Sequence, residues 1–376
     1  MSQQGVPGPL SGLLVLDFSR VLAGPFATMM LADLGARVIK VEKPDTGDDS
    51  RSYGPFSGTD SLYFARVNHG KESLAADLRS PDDLALVRRI AARADVLVEN
   101  FRPGVMARLG LGFEDVRQLN DELVYCSISG FGHSGPWSQR PAYDAVVQGM
   151  SGIMAITGSP DGPPVKPGSP VADLSAGLYA FGGICAALRG GRGTHIDIAM
   201  YDATVSLLEG AALRWLATGA EPERIGNAHQ AIAPFDTFAC ADGDITICVA
   251  NDLLFGALSS ALGLPGLLTD ARFATNALRH DYRGVLKQLM EQVLSGGTAA
   301  SWLEVLSAAG VPCGPISSVA EALSSEQAKA RQLVVDAGGL PVPGNPVKLS
   351  AFPDPGARPA APALDADGAR IRAEFS

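Results

Sequence analysis

The sequence predicts an α/β protein, with a large domain on a mainly parallel sheet and a smaller α/β domain later in the chain. Three observations carry that expectation. Short apolar runs alternate with helical stretches over residues 13–129. Such alternation produces a parallel sheet covered by helices, because each helix carries the chain back to start the next strand in the same direction. Composition changes near Glu221–Asn227, and residues 226–335 carry strands and helices of their own. The length of 376 residues suits about two domains.

Leu13–Phe18 is a short apolar run, expected as a buried strand. Pro25 follows soon after and suits a first helical position, where its missing N–H has no partner to lose. Phe26–Leu34 reads as a helix that Gly35 can end. Arg37–Glu42 is the next strand and completes a βαβ unit. The pattern continues with a helix at Asp82–Ala94, a strand at Val96–Glu99, a short helix at Phe113–Leu119 and a strand at Leu123–Ser129. Asp173–Leu188 reads as a helix of small residues, and Asp197–Ala217 as one long apolar helix. Farther on, Phe235–Phe238 and Asp244–Val249 flank an Asp242-Gly243 turn. Leu253–Leu262, His280–Leu294 and Thr298–Ala308 look helical. The tail after Leu340, rich in Pro, Ala and Gly, is expected to wrap over a surface.

A net charge of −10 argues against a protein that coats nucleic acid, which needs clustered Lys and Arg. Met1–Leu10 has no basic start before an apolar stretch, so no secretory signal is expected. No apolar run approaches the ~18 residues of a membrane span, so a cytoplasmic location is the expectation. Cys126, Cys185, Cys240, Cys248 and Cys313 form no C-x-x-C pair and read as buried thiols. The five histidines are dispersed, and no metal site is expected.

In a parallel sheet, ligands sit beyond the carboxyl ends of the strands. That nominates Ser19–Pro25, Lys43–Arg51, Asn100–Gly104 and Gly130–Asp144. Gly130–Gly135 matches G-x-G-x-x-G, but Pro136, Trp137 and Pro141 follow where a pyrophosphate site needs a helix to open. An NAD site is therefore not expected. Lys43 and Arg108 could meet phosphates through charge-assisted hydrogen bonds. The other charges near Lys43, in Asp45–Asp49 and Arg51, read as solvated. Asp173 has two compatible readings: an N-cap whose carboxylate accepts amide hydrogen bonds, and an unprotonated nucleophile that attacks a thioester.

Taken together, several segments resemble the family III CoA-transferases, which include formyl-CoA transferase and carnitine CoA-transferase. They are Leu16–Pro25, Gly35–Pro44, Gly47-Asp48 with Arg51, Asn68 with Lys71, Val98–Gly104 and Ser129–Gly132. The Asp173 segment, Met200–Ala203, Gly226-Asn227 and Gly310–Pro315 extend the resemblance over nearly the whole chain. It implies a Rossmann-like large domain from residues 1–200 and 340–376, a linker at 201–225, a small domain at 226–335, and an interlocked homodimer. It also implies that coenzyme A passes from an acyl-CoA to a small carboxylic acid through Asp173. By similarity, CoA contacts fall on Val21, Leu22, Ala23, Lys43, Ala76, Asn100, Phe101 and Arg108. Arg20, Tyr143, Met200, His229 and Gln230 would border the acyl group. Arg140 is the nearby candidate for a pocket lysine of the family.

Formyl-CoA transferase has a glutamine at the position of Leu22 and a glycine-rich loop in place of Asn227–Pro234. These departures point away from oxalate and formate and toward succinyl-CoA with dicarboxylates such as malate, glutarate or mesaconate. An α-methylacyl-CoA racemase of the same fold is the rival. It needs a histidine where Tyr143 precedes Asp144, and so would lack half of its acid–base pair. A CoA-binding protein without catalysis is the other alternative, and the presence of Asp173 argues against it.

Overall fold

A computed structural model describes residues 8–376. The expected lack of a secretory signal concerns Met1–Leu10, of which residues 1–7 lie outside the described residues. The chain divides into two compact units. The first takes the described part of Met1–Ile153, with Lys166–Leu208 and Ser325–Ser376; the second takes Met154–Val165 and Glu209–Ser324.

The first unit is built on six strands: β1 (Leu14–Asp17), β2 (Arg37–Glu42), β3 (Glu72–Ala75), β4 (Val96–Glu99), β5 (Val124–Ser129) and β6 (His195–Ala199). All neighbours pair in parallel, in the order β3-β2-β1-β4-β5-β6. Successive side chains point to opposite faces. Val15, Val38, Val98 and Cys126 pack on one face against α1 (Ala23–Asp33) and Ala176, Ala180 and Ile184 of a long helix at Val171–Gly190. Leu16, Ile39, Leu74 and Leu97 pack on the other against the helix Pro81–Ala91 and Ile371 and Phe375 of the tail. Both faces are covered, which is why the strands read as continuous apolar runs.

In the second unit, Phe235–Ala239, Asp244–Cys248 and Cys313–Pro315 form an antiparallel sheet. It shares a core of Phe238, Ile247, Phe255, Leu258, Met290 and Leu306 with the helices Asp252–Ala261, Arg283–Leu294 and Ala299–Ala308.

Several expectations change. The long helix expected at Asp197–Ala217 is a strand followed by shorter helices at Met200–Val205 and Glu209–Thr218. Ile196 and Ile198 alternate with His195 and Asp197, a period of two that lets β6 pair with β5. Pro25 is the third residue of α1 rather than the first. Strand β3 was not expected, because Glu72-Ser73-Leu74-Ala75 holds one large apolar residue. The tail is tied to the first unit: Val334–Ala337 pairs with Leu340–Pro343, and buried Arg358 meets Asp33 at 2.9 Å. All five cysteines are free, but Cys126 alone is fully buried and the others are half-buried. The helix Val171–Gly190 is long and apolar enough to cross a membrane by length and composition, with a mean hydropathy of 1.5, so the expectation that no run approaches that length does not hold. Here its small side chains pack against α1: a Cβ at Gly177 would lie 2.8 Å from the Ala23 carbonyl oxygen.

Candidate active site

The strand order reverses direction between β1 and β4, and in open parallel sheets that switch point opens a crevice for ligands. The loop after β1 (Ser19–Leu22) and the loop after β4 (Asn100–Pro103) face each other there. Asn100 staples them: its Oδ1 accepts the Arg20 amide at 2.9 Å, and its Nδ2 donates to the Arg20 carbonyl at 2.8 Å. Its side chain thus holds the loop. Val21 has φ +67°, a left-handed conformation rare for a β-branched residue.

A cleft of about 200 Å³ opens at these loops. Of the expected residues, it brings together Arg20, Val21, Leu22, Ala23, Asn100, Phe101, Arg140, Tyr143, Asp173 and Met200. A second cleft of about 540 Å³ in the same unit is lined by Lys43, Ala76 and Arg79, and shares Arg20 and Phe101 with the first. The Arg20 guanidinium lies over the Phe101 ring at 5.5 Å and meets Asp49 at 2.9 Å. Lys43, more loosely placed, is 3.7 Å from Asp49. Arg108 ends the short helix Val105–Arg108 and lines neither cleft. His229 and Gln230 belong to the second unit, where the His229 ring packs on Phe235 at 5.1 Å.

Asp173 lies in the first turn of the helix Val171–Gly190, and Pro170 holds the N-cap position, so the N-cap reading fails. The capping is done from elsewhere. Asp144, which opens the helix Asp144–Met150, accepts the amides of Ala172 at 3.0 Å and Asp173 at 3.3 Å with its Oδ1. Among the described residues, no group donates a hydrogen bond to the Asp173 carboxyl itself. Burial, and then the negative charge of Asp144, push that carboxyl up to about 7. The carboxyl expected from sequence to be unprotonated is therefore harder to ionise than an exposed aspartate. When ionised it is a more basic, more nucleophilic carboxylate than an exposed aspartate.

The loops rest on buried charge that the sequence reading missed. Lys40 donates to the Ser19 carbonyl at 2.6 Å and meets Asp48 at 2.9 Å. Lys71 meets Asp17 at 3.0 Å and donates to Thr28 Oγ1 at 2.7 Å and Asn68 Oδ1 at 3.0 Å. Asp48 also accepts the Val21 amide at 3.1 Å. Within the loop read as solvated, Asp48 is therefore buried and paired. A lysine inside the apolar strand β2 was the available signal, since a buried cation requires an anion nearby.

Comparison with known proteins shows the family of the chain. Residues 10–368 match the family model for CoA-transferase family III. An acetyl-CoA:oxalate CoA-transferase of Acetobacter aceti is 50% identical over 98% of this chain and 96% of its own length. A mouse (Mus musculus) succinyl-CoA:glutarate CoA-transferase is 41% identical over 93% of this chain and 83% of its own. The crystal structure of a CAIB/BAIF family protein from Brucella suis superposes with a TM-score of 0.87 at 42% identity, covering 98% of this chain and all of that one.

Proposed function

The chain belongs to CoA-transferase family III, and from that membership we propose that it moves coenzyme A between small dicarboxylic acids through acyl intermediates on Asp173. One observation carries the assignment to Asp173. Its carboxyl lines the cleft at the switch point, takes no hydrogen bond from the described protein, and has its helix amides capped by Asp144 instead. A carboxylate left free in this way can attack.

The steps conserve protons and electrons. An Asp173 oxygen attacks the acyl carbonyl of the donor thioester, the C–S bond breaks, and a mixed anhydride forms with CoA thiolate released beside it. The thiolate attacks the aspartyl carbonyl, the anhydride C–O bond breaks, and the donor acid leaves as its carboxylate. The acceptor carboxylate then attacks the aspartyl thioester, and the same two exchanges run in reverse. Lys43 holds an anionic group of the ligand, and Arg20, Met200 and Tyr143 border the acyl group. Arg140, which lines the cleft, is the candidate for the place of a pocket lysine. The protein works as a homodimer, which light scattering tests.

Succinyl-CoA is the first donor to try. Leu22 and the loop Asn227–Pro234 point away from oxalate, but the 50% identity to a transferase named for oxalate supports trying oxalate beside glutarate as an acceptor. The test is to incubate the enzyme with succinyl-CoA, add hydroxylamine and map the modified residue by mass spectrometry. A hydroxamate on Asp173, absent from Asp173→Asn, is expected. Exchange of an α-proton in a 2-methylacyl-CoA, with no adduct from any thioester, would replace this reading with a racemase.

A further inference from the structure

The most strained residue at the cleft has an identifiable restraint. Val21 lines the cleft at φ +67°. Non-glycine residues hold such conformations only where their surroundings over-determine them, and such strain concentrates at functional sites. The restraint is Asp48. Both of its carboxylate oxygens lie within reach of the Val21 amide, at 3.1 and 3.2 Å. Asp48 is itself fixed by Lys40 at 2.9 Å, by the Ser50 amide at 2.9 Å and by the Ser50 hydroxyl at 2.8 Å, and its side chain is 1% exposed. The Glu42 carboxylate holds the Asp48 amide in turn, at 2.9 Å. The chain of restraint therefore runs from strand β2 through Asp48 to the backbone that borders the thioester end of the cleft.

We propose that Asp48 is a positioning residue for CoA transfer, acting by holding Val21 in its left-handed conformation so that Arg20 faces the ligand while Leu22 anchors the loop in the core beside Met29, Met30 and Val67. This rests on the assignment of the cleft to coenzyme A. Asp48 borders the second cleft, but its side chain is 1% exposed and turned to Lys40, so it acts through the backbone it sets.

A double-mutant cycle tests this, because glycine takes a left-handed φ without strain. Asp48→Ala, Val21→Gly and the double variant are compared with the parent by two readouts: coenzyme A affinity by calorimetry, and kcat/KM for transfer from succinyl-CoA. Asp48→Ala is expected to weaken CoA binding and lower kcat/KM by roughly ten- to a hundredfold, the range that released backbone strain of this kind allows. The double variant is expected to recover to within about threefold of Val21→Gly alone, since glycine removes the need for the restraint. Additive losses in the double variant would overturn the proposal and leave Asp48 as a structural ion only. If Asp48→Ala fails to fold, Asp48→Asn replaces it. Its amide oxygen can still accept from Val21, so it should keep CoA affinity near the parent's while melting at lower temperature; a loss of affinity as large as the loss of stability would overturn the proposal. A parent enzyme that binds no coenzyme A would instead refute the assignment of the cleft, a result distinct from a failed cycle.

Discussion

Two sets of buried carboxylates lie in the same unit, and their surroundings drive them in opposite directions. Beneath the switch-point loop, burial alone would raise Asp48, but Lys40 and the Ser50 hydrogen bonds outweigh it and hold Asp48 down to about 2. Asp17 is likewise lowered: burial opposes it, and Lys71 and Lys40 prevail. At the cleft no cation offsets the burial of Asp173, and at the end of β4 Glu99 has only the His133 imidazole nearby, at 3.8 Å. Burial and Asp144 push Asp173 up to about 7. Burial, aided by Asp197, pushes Glu99 up to about 7 against the hydrogen bonds from Ser127 and the Phe101 amide. Burial is common to both sets, so the partner decides. Paired carboxylates make the scaffold, and an unpaired one is available for chemistry.

The largest test of that contrast is Asp173→Asn. Transfer should fall by on the order of a thousandfold or more, because the bond-forming oxygen is lost. Stability at pH 8 should hold or rise, because a desolvated charge without a cation is replaced by a neutral group of the same shape. Steady-state rates and urea unfolding of the same preparation check both halves. A large loss of stability would mean that Asp173 is scaffold after all. Lys40→Met probes the other set. It strands Asp48 and Asp17 without one of their cations, and breaking a buried pair in this way costs about 3–5 kcal/mol. The measurement is the urea midpoint.

The two sets should also separate by pH. Glu99 is raised from an ordinary 4.5 to about 7. The folded state therefore binds more protons than the unfolded state between those values, and its stability declines as pH rises through that window. Glu99→Gln should flatten the decline, a difference of about 3 kcal/mol between pH 4.5 and 8. Its amide oxygen can still accept from the Phe101 amide, now at 2.8 Å. Asp48 works in the opposite sense. Held down from 3.8 to about 2, it contributes about 2 kcal/mol that is present above pH 4 and lost as pH falls toward 2. Urea titrations at stepped pH read the Glu99 window in parent against Glu99→Gln, and the Asp48 window in parent against Asp48→Asn.

The sequence made the scaffold legible only where one strand carries one apolar run. Strands β1, β2, β4 and β5 are such runs. Strand β3 is too short and polar to stand out, and β6 is masked by the apolar helices that follow it. The spacing of Asp173 admits both a cap and a nucleophile, and the resemblance singles out the nucleophile. Asp144 could not be found as its partner. The two are separated by 28 intervening residues and meet only when two helix starts are packed side by side. Asp48 was hidden by its neighbours: Asp45 and Asp49 are solvent-accessible acids, and only the fold turns the one between them toward Lys40.

The smallest expected effect is also the most discriminating, because it asks how much of the Asp173 displacement comes from its neighbour. On the proposed mechanism ionised Asp173 is the reactive form, so kcat/KM should rise with pH and level off above about 7, falling roughly tenfold per pH unit below that. Asp144→Asn removes the like charge while leaving an oxygen to accept the Ala172 amide, so the helix start should persist. The ionisation midpoint in kcat/KM should then move to lower pH. It should stay well above the ordinary 3.8, because burial is the larger cause and is unchanged. A midpoint that does not move would assign the whole displacement to burial. A midpoint near 3.8 would make Asp144, rather than desolvation, the group that sets the nucleophile, and the unpaired set would then be governed by charge in the same way as the paired one.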